Sequence, residues 1–599
     1  MKSEVEFQPA NIRKTSKYLP WLLIILGVVS LLVIPLIGYK QVSIPQIYQD
    51  EFGYWGDAAF FNGQNWSTVI STIPYYSFGY SLILKLFISL TGSYTNAYAL
   101  AQMVNGLWLA LTFLLLIRLI KLLYPKTIKS SWAIFFAYIS VVYASNILNS
   151  HFTWPECFLS LLVVMLTVLF VKLLKTYNLI YFISISVLCA YIYYVHQRMI
   201  GFVLSVFIIL VISVFFQKTK RDAILKLLIF FLTFGIIYFL FSLLKTDLIN
   251  NLWVSSPSSN VNNISGQAGN IRYLFTISGI RDFLLSFSGK LFYLFTATFF
   301  VIPLLLLRSV TRLFKWIQGK SKRHQKTGEN ACADELALVY LFVLLSFLLS
   351  AGISSVSMIT PTTISHVVYG RYLEPLYSVG LALGFAELFL RKMSFTELLI
   401  LMGIYALTVL SVSWQCNQGE LRWRAPVNNS AVTWFVKENW IELRNCLLLT
   451  GIGVVLLFMA ERKRILYCLI LTIMGIYWIV TGNQAYKDHV SDWGAYQEDN
   501  VAISEYIRNF ENQHDENIQV VIVNSDIGRL PSRNPGNGLQ FLNPNAEFEV
   551  YSEWDQSLAK TFENGDVPGL LVTSEAADIE GLDEPVYTTD HYQIYILKE

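Results

Sequence analysis

The sequence predicts a polytopic α-helical membrane protein with about thirteen transmembrane helices and a small C-terminal soluble α/β domain. Of its 599 residues, 54% are hydrophobic, 15% are aromatic and only 14% are charged. This composition lies outside the range of ordinary soluble domains. Apolar runs of about 18 to 25 residues, the length that crosses a bilayer as a helix, recur as far as residue 482. After residue 497 the pattern changes to short apolar strands alternating with amphipathic helices.

The apolar runs give the predicted spans directly. The first, at 19–39, follows a short basic segment at 1–18. It is too long for a signal-peptide core and has no small-residue cleavage site, so we predict a retained signal anchor. The other predicted spans are 96–119, 131–148, 156–174, 178–195, 199–216, 224–244, 288–307, 335–353, 373–390, 395–414, 445–460 and 465–482.

The distribution of charge predicts the orientation of the chain. Lysine and arginine concentrate in alternate connections, such as 118–129, 218–226 and 308–326, which the positive-inside rule places in the cytoplasm. Because the number of spans is odd, the N-terminus is expected inside and residues 484–599 outside. This last part carries 22 acidic and 6 basic residues, against 19 and 38 in the rest of the chain. We therefore expect a basic membrane domain (19–483) followed by an acidic accessory domain.

The first outer loop, residues 40–95, contains the most informative segment. Asp50 and Glu51 lie just beyond the first span, where carboxylates cost desolvation energy unless they are paired or used. A helix that begins at Asp50 would present Tyr54 and Asp57 on the same face. The later stretch 73–92 is apolar and aromatic with one charge, Lys85, and is predicted to be an interfacial helix. Lys85 could reach a phosphate or only snorkel to the surface.

The other outer connections supply cationic and further polar candidates at the same membrane face. These residues are His151 and Glu156 in HFTWPE, His196 and Arg198 in VHQR, His366, Arg371 and Glu374 in SHVVYGRYLEP, and Arg422 or Arg424 in RWRAP. Arginine suits phosphate because its planar fork donates two hydrogen bonds at once. A carboxylate opposite such an anion site fits a reaction in which a hydroxyl attacks and a lipid phosphate leaves. Alternatively, Arg371 and Glu374 could simply pair, since they lie three residues apart on a helix.

The remaining motifs exclude other kinds of site. The six cysteines lie far apart and show no disulfide or zinc-ligand spacing. The C-terminal domain shows strand patterns at IQVVIVN, GLLVTS and HYQIYILK and helical patterns at 498–512 and 555–565. It contains neither a phosphate-binding glycine loop nor a nucleophile elbow, so an accessory role is predicted for it. A nucleic-acid partner is not expected.

Four short motifs, in order and on one side of the membrane, carry a family resemblance. They are Asp50-Glu51 followed by Tyr54, the Pro-aromatic segment 73–92, Pro155-Glu156 before a span, and GRYLEP at 370–375. Together they resemble the C-type glycosyltransferase superfamily, specifically its protein O-mannosyltransferase and aminoarabinose transferase branch. One departure is that Ile73-Pro74-Tyr75-Tyr76 stands where the family has Lys-Pro-Pro or His-Pro-Pro.

The resemblance implies transfer of a sugar, with inversion, from a polyprenyl-phosphate donor to a lipid, glycan or protein acceptor outside a bacterial plasma membrane. Asp50 would be the general base, and Glu51 would orient the acceptor or help to hold a divalent ion. The sequence does not decide whether Mg or Mn is needed. The implied donor-phosphate ligands are Arg371, Arg198, His196 and Lys85. The implied substrate-binding residues are Tyr54, Asp57, Glu156, His366, Tyr369 and Tyr372.

Three other classes of function compete with this interpretation. A transporter or flippase of lipid-linked saccharides would place ionisable groups near mid-membrane, whereas the charges here avoid the centres of the spans. A scaffold that only displays the acidic domain would not need histidines and arginines gathered at one face. A polymerase of lipid-linked repeat units needs the same outward anion site, and the sequence leaves it open.

Overall fold

The computed structural model describes most of the chain, including all of the predicted spans except part of the first. The described residues are 18–37, 41–45, 48–254, 268–321, 330–361, 363–417, 426–437, 440–441, 443–514, 518–523, 535–554, 558, 568–574, 582 and 584–598. Arg422, Arg424 and the predicted helix at 555–565, apart from Leu558, lie outside these residues.

The structure is mainly helical. Its first half contains α1 Leu19–Val33, α2 Tyr48–Phe61, α3 Ser67–Ile70, α4 Ser81–Thr91, α5 Tyr94–Leu123, α6 Ser130–Val141, α7 Ala144–Asn149, α8 Glu156–Thr176, α9 Leu179–Val195, α10 Ile200–Val214 and α11 Lys220–Leu252. The second half contains α12 Ala268–Tyr273, α13 Ile277–Ala297, α14 Val301–Ser321, α15 Asn330–Ser357, α16 Ile364–Val367, α17 Glu374–Leu390, α18 Phe395–Asn417, α19 Leu443–Ala460, α20 Arg464–His514 and α21 Pro535–Leu542.

Within the described residues, eight helices are long and apolar enough to cross a membrane, or nine if α13 and α14 count as one bent span. These helices coincide with predicted spans. The shorter apolar helices α6, α9 and α19 lie at three further predicted positions. The chain is therefore a multi-pass helical membrane protein, while the number of thirteen spans stays a prediction.

The apolar stretch in the first outer loop forms a short helix, as predicted, and not a span. Helix α4 has 11 residues and extends about 16 Å, roughly half of the hydrocarbon thickness. It ends at Gly92, whose left-handed φ of 67° is reached easily only by glycine. Helix α4 packs against α2 and α5, so it supports the helix that carries the acidic pair.

The predicted span at 288–307 is broken, which the sequence pattern did not reveal. Helices α13 and α14 meet at an angle of 112°. Phe299 and Phe300 between them adopt positive φ angles of 45° and 66°, a conformation that costs about 1–2 kcal/mol per residue. The indole of Trp478 donates a hydrogen bond of 3.1 Å to the carbonyl oxygen of Ala297. This contact satisfies a backbone group that the break releases in an apolar region.

A network of buried ion pairs stabilises one end of the membrane domain. This is the end that carries the basic connections. Arg308 pairs with Glu397 at 3.0 Å and donates to the backbone carbonyl of Glu387 at 3.1 Å. Arg312 pairs with the carboxylate of Glu387 at 2.8 Å. Arg308 lies on α14 and donates to free carbonyl groups at the C-terminal end of α17, so this network joins α14, α17 and α18 at one level.

The C-terminal domain is a five-stranded sheet with the order β4-β3-β5-β7-β6. A two-stranded ribbon, β1 Val436–Lys437 and β2 Trp440–Ile441, precedes it, and the sheet strands are β3 Gln519–Val523, β4 Glu547–Tyr551, β5 Gly569–Ser574, β6 Tyr587–Thr588 and β7 Tyr592–Lys598. Strand β3 runs parallel to β4 and β5, whereas β7 runs antiparallel to β5 and β6. The three predicted strands are present, and β4 and β6 were not predicted.

Helix α20 joins the membrane domain to the sheet without interruption. The sequence predicted a span at 465–482 and a separate amphipathic helix at 498–512, but both belong to one helix of 51 residues. The sheet domain is also tied to the first outer loop. The indole of Trp66 donates to the carbonyl of Pro544 at 3.0 Å, and the Thr68 hydroxyl donates to the carbonyl of Phe548 at 2.5 Å. These bonds place the C-terminal domain directly beside α2–α5.

Candidate active site

Four segments that are distant in sequence bring their charged side chains together at one end of the membrane domain. Nη1 of Arg371 lies 2.6 Å from Oδ2 of Asp50, and its Nε lies 2.6 Å from Oε1 of Glu156. Nη2 of Arg198 lies 2.7 Å from the same Glu156 oxygen. Asp50 is partly exposed, while the other three side chains are almost completely buried. These four residues, called the charged cluster below, connect α2 with the starts of α8, α10 and α17.

The local sequence explains how Arg371 and Glu156 reach this position. A Cβ atom at Gly370 would lie 2.0 Å from the ring of Tyr293, so only glycine fits there. The Gly370 amide donates to the carbonyl of Asn428 at 2.9 Å, which fixes the turn. Pro375 then lies in the first turn of α17, where its missing N–H costs nothing. Glu156 occupies the first turn of α8, where the helix dipole favours an acid.

The charged cluster leaves several buried polar atoms without a protein partner. These atoms are Nε and Nη1 of Arg198, Nη2 of Arg371 and Oε2 of Glu156. Each unpaired buried group of this kind costs about 1–3 kcal/mol or more, because water no longer solvates it. Three of the four are N–H donors on permanently charged groups. The arrangement therefore has the capacity to bind an anion with oxygen acceptors.

Aromatic rings cover the two arginines. The guanidinium carbon of Arg371 lies 3.9 Å from the centre of the Trp154 ring, and that of Arg198 lies 5.4 Å from the Tyr372 ring. Tyr369 packs edge-on against Tyr372 with a centroid distance of 5.0 Å. Such contacts are favourable for guanidinium groups and exclude water from the cluster. Trp154 was part of the motif HFTWPE, but its role was not predicted.

His196 lies beside the cluster as a neutral side chain. It is positioned near Tyr372, with a ring-centroid distance of 6.3 Å. Its Nδ1 accepts a hydrogen bond of 3.3 Å from the backbone amide of Arg198. Burial, followed by the charges of Arg198 and Arg371, lowers the pKa of His196 well below its usual value. His196 can therefore donate a hydrogen bond through Nε2 but does not add positive charge.

Glu51 is buried on a different side of α2 and does not contact the arginines. Its Oε1 accepts hydrogen bonds from the Tyr98 hydroxyl at 2.9 Å and from the backbone amide and hydroxyl of Thr153, both at 2.6 Å. The indole of Trp55 donates in turn to the Thr153 hydroxyl at 2.8 Å. Glu51 thereby links α2 to α5 and to the segment before α8. The two neighbouring acids thus have different environments: Asp50 faces the arginines and Glu51 faces neutral donors.

Tyr54 and Asp57 lie further along α2, and both are buried. The Tyr54 ring packs against Tyr76 and Tyr80 at centroid distances of 6.0 and 5.9 Å. Oδ2 of Asp57 accepts a weak hydrogen bond of 3.4 Å from Ser81, and its Oδ1 has no partner. Burial raises the pKa of Asp57 well above its usual value. Asp57 therefore belongs to the packing of α2 on α4 and not to the charged cluster.

Tyr76 is a neighbour of Asp50 that the sequence interpretation missed. Burial, and then the adjacent Asp50 carboxylate, raise the pKa of Tyr76 well above its usual value. The tyrosine lies in the Pro-aromatic segment 73–92. Its hydroxyl thus stays protonated and can donate to Asp50.

Lys85 and His366 also lie outside the cluster, and one cation nearby was not predicted. Lys85 on α4 makes no hydrogen bond or ion pair with any residue that the structure describes. His366 lies next to Tyr369, with a centroid distance of 6.4 Å. Its backbone carbonyl accepts a hydrogen bond of 2.8 Å from Lys290. Lys290 is fully buried on α13 and also donates to Ser286. Lys290 was not predicted, because it is a single charged residue in a long apolar segment and belongs to no motif.

Glu374 has neutral partners. Its Oε1 accepts hydrogen bonds from the Tyr293 hydroxyl at 2.5 Å and from Ser430 at 3.2 Å. The alternative that Arg371 pairs with Glu374 along one helix is therefore wrong, because Arg371 pairs with Asp50 and Glu156.

The carboxylates of the site are paired with protein groups. Within the described ranges, no three His, Cys, Asp or Glu side chains are arranged to hold an ion. Asp50 and Glu156 each form an ion pair with arginine, and Oε1 of Glu51 accepts hydrogen bonds from Tyr98 and Thr153.

Comparison with known proteins gives matches in structure. No protein-family model and no curated protein matches the sequence. The apo structure of ArnT from Cupriavidus metallidurans matches with a TM-score of 0.52 and 11% identity, covering 97% of this chain and 98% of that chain. The same ArnT bound to undecaprenyl phosphate matches with a TM-score of 0.48 and 10% identity, covering 96% and 98%. The arabinosyltransferase EmbB from Mycobacterium smegmatis gives a TM-score of 0.41 and 11% identity, covering 82% of this chain and 43% of that chain.

At this level of identity the match to apo ArnT establishes the fold. ArnT is an aminoarabinose transferase of the C-type superfamily, the branch that the short motifs predicted. The match extends over nearly the whole length of both chains, including the C-terminal domain. The chain thus has the fold of the C-type glycosyltransferases.

Proposed function

We propose that the protein is a membrane glycosyltransferase that takes a sugar from a polyprenyl-phosphate donor and transfers it, with inversion, to an acceptor outside the cytoplasm. The observation that carries the proposal is the set of three buried, unpartnered N–H donors on Arg198 and Arg371. A phosphodiester oxygen would satisfy them. The fold, shared with ArnT, which is known bound to undecaprenyl phosphate, agrees with a lipid-phosphate ligand.

The unpartnered donors of the cluster, and not a surplus of positive charge, suit it to a phosphodiester. The two positive charges of Arg198 and Arg371 are balanced by the carboxylates of Glu156 and Asp50. The free N–H groups of the two arginines would hold the phosphate oxygens by charge-assisted hydrogen bonds. Arg371 also pairs with Asp50, so one guanidinium group would hold both the carboxylate and the donor phosphate. This geometry keeps the proposed base close to the reacting carbon without direct contact between two anions.

The reaction would then proceed as a single displacement. The acceptor hydroxyl oxygen forms a bond to the anomeric carbon, while the bond from that carbon to the phosphate oxygen breaks and its electron pair leaves with the polyprenyl phosphate. Asp50 takes the hydroxyl proton. Arg198 and Arg371 stabilise the second negative charge that develops on the departing phosphate. Glu51, which is held away from the arginines by Tyr98 and Thr153, supports the position of α2.

A second carboxylate near the site is less suited to act as the base. Glu156 is bound by both arginines through one oxygen, so its carboxylate is already engaged in holding the two guanidinium groups. Asp50 contacts only Arg371 and retains partial exposure toward the outer face, where an acceptor would arrive. We therefore assign the base to Asp50 and the positioning of the two guanidinium groups to Glu156.

The orientation of the chain is part of the proposal. The cluster lies at the end of the membrane domain opposite to the network of Arg308 and Arg312, which belongs to the basic connections expected in the cytoplasm. An outward-facing site and an extracytoplasmic C-terminal domain in a bacterial plasma membrane follow from this assignment. Cysteine labelling from each side of sealed vesicles, at Ser491 and at the connection 118–129, tests it.

Transfer must be distinguished from translocation and from polymerisation. Purified protein in vesicles is supplied with radiolabelled polyprenyl-phosphate sugars and with lipid, glycan and protein acceptors. We expect the label to appear in an acceptor together with released polyprenyl phosphate, and we expect Asp50→Asn to abolish the transfer. Label that crosses the bilayer still attached to lipid indicates a flippase. Products that grow by lipid-linked repeat units indicate a polymerase, and either result rejects the proposed function.

A further inference from the structure

A second cavity lies where the first outer loop meets the C-terminal domain. It has a volume of about 480 Å³ and is open on one side, a size within the usual range for small-molecule sites. Elements from both parts of the protein form it: the end of α2, the end of α4, the start of α5, the C-terminal part of α20 and the end of α21. The hydrogen bonds of Trp66 and Thr68 to the C-terminal domain hold the two sides together. This cavity is called the interdomain cleft below.

The lining of the interdomain cleft is polar but not acidic. Its hydrogen-bonding residues are Asn62, Gln64, Ser89, Ser93, Thr95, Arg508 and Asn545, and Ile88, Tyr94, Phe541, Leu542 and Pro544 add apolar surface. Without a carboxylate in the lining, the cleft is unsuited to a metal cation. A cleft with so many neutral donors and acceptors is equally unsuited to a lipid chain.

Several of these polar groups are already oriented. Oε1 of Gln64 accepts hydrogen bonds from the Tyr94 hydroxyl at 2.8 Å and from Asn62 at 3.2 Å. This fixes the amide so that its NH₂ group remains available as a donor. The hydroxyls of Ser93 and Thr95 bond to each other at 3.0 Å. Asn545, on the opposite wall, is exposed and makes no hydrogen bond with the residues that the structure describes.

We propose that the interdomain cleft binds a saccharide, as the remote part of the acceptor. Hydroxyl groups both donate and accept hydrogen bonds, and the alternating amides and hydroxyls of the two walls match this property. The C–H faces of sugar rings pack on apolar and aromatic surface such as that of Phe541 and Pro544. A saccharide has both kinds of surface. It can pair with the polar groups of the lining and cover the apolar ones.

The position of the cleft supports the acceptor role, which rests on the function proposed above. Helix α2 runs from Asp50 to the cleft over 12 residues, or about 18 Å. A layer of packed rings lies between the cleft and Glu51: Phe541 contacts Trp55 and Tyr98 at centroid distances of 5.2 and 5.9 Å. The cleft is therefore a remote subsite, and an acceptor that occupies it must be an extended chain that reaches Asp50 over the outer surface. Binding energy from such a distant part of a substrate can position the reacting group.

The test measures saccharide binding to the full-length protein in lipid nanodiscs. The probes are linear tri- and tetrasaccharides of glucose, mannose, galactose and N-acetylglucosamine, observed by saturation-transfer NMR and titrated by calorimetry. Ser89→Trp should fill the cleft and weaken binding at least about tenfold, the loss expected when several hydrogen bonds are displaced. Asn545→Ala, which removes one bond, should weaken it about fivefold.

Two matched variants serve as controls. Ser491→Trp and Asn509→Ala change exposed residues on α20 outside the lining and should leave saccharide affinity unchanged. All four variants should bind undecaprenyl phosphate as the unmodified protein does. The proposal is overturned if no saccharide of the panel binds, or if Ser89→Trp binds the saccharide as well as Ser491→Trp. Loss of lipid-phosphate binding with intact saccharide binding would instead reject the proposed function and leave the cleft as a saccharide site.

Discussion

Arg198 offers the sharpest prediction, because two of its guanidinium N–H groups are buried without a partner. Replacing it by glutamine, Arg198→Gln, removes the charge and both donors, Nε and Nη1. A hydrogen bond between a charged group and an anion contributes about 1.5–3 kcal/mol. Loss of even one such bond corresponds to a roughly 10- to 100-fold lower affinity for a phosphate ligand. We expect the affinity for undecaprenyl phosphate to fall by at least this factor.

The assay is a titration of undecaprenyl phosphate into the protein in nanodiscs at fixed ionic strength. Arg281→Gln is the matched control, since Arg281 is exposed and, within the described part of the chain, forms an ion pair with its neighbour Asp282 alone. Arg198→Lys should restore part of the affinity, because lysine keeps the charge but not the fork geometry. Thermal melting of each variant checks that Glu156, which keeps Arg371 as a partner, still maintains the fold. A folded Arg198→Gln variant with unchanged affinity would refute the phosphate site.

Three further predictions concern the base, the pH response and the broken helix. Asp50→Asn should reduce the rate of sugar transfer by at least about 100-fold, which is the contribution of a general base. The affinity for lipid phosphate should change only a few-fold. Appreciable turnover by this variant would exclude Asp50 as the base. Burial lowers the pKa of His151 to about 4 in the folded protein, whereas the pKa in the unfolded chain is about 6.5. Above pH 6.5 His151 is neutral in both states, and its burial then causes no loss of folding stability. That stability is lost as the pH falls from 6.5 toward 4, by about 2 kcal/mol at pH 5. His151→Phe keeps the stacking on Tyr486 and removes the titrating group. Its melting temperature should therefore fall less between pH 7 and pH 5 than that of the unmodified protein. An equal fall in both proteins would contradict the role of His151 in the pH response. Trp478→Phe removes the hydrogen bond to the carbonyl oxygen of Ala297. It should lower the free energy of unfolding, measured by denaturation in detergent, by about 1–3 kcal/mol. An unchanged value would show that the break between α13 and α14 does not need this hydrogen bond.

The location of the site was predictable because a bilayer restricts where charge can lie. Residues at the ends of spans on one side must occupy one level, so Asp50, Glu156, Arg198 and Arg371 had to be neighbours in depth. Their pairing was not predictable. Spacing along one helix favoured Arg371 with Glu374, whereas the structure pairs Arg371 with Asp50 and Glu156 across three segments. Such contacts depend on helix packing, which a hydropathy pattern does not contain.

The fold was predictable where hydrophobic periodicity is strong and failed where backbone geometry changes inside an apolar run. The break at Phe299 and Phe300 contains no glycine, and Pro303 in the first turn of α14 was not used as a signal for a new helix start. The break is also supported by Trp478, which is far along the chain. Helix α20 continues through the polar segment 484–496, where the apolar pattern of the predicted span at 465–482 has already ended. Strand β4 was missed because EFEVY carries two acids, which an edge strand tolerates.

The most direct test of the account is a structure of the full-length protein with undecaprenyl phosphate bound. We predict that the phosphate oxygens lie at about 2.7–2.9 Å, the length of a charge-assisted hydrogen bond, from Nε or Nη1 of Arg198 and from Nη2 of Arg371. Asp50 should remain beside Arg371 and face the outer side. A phosphate bound elsewhere, for example at Lys290 or Lys85, with the N–H groups of Arg198 and Arg371 still unpaired, would contradict the central claim.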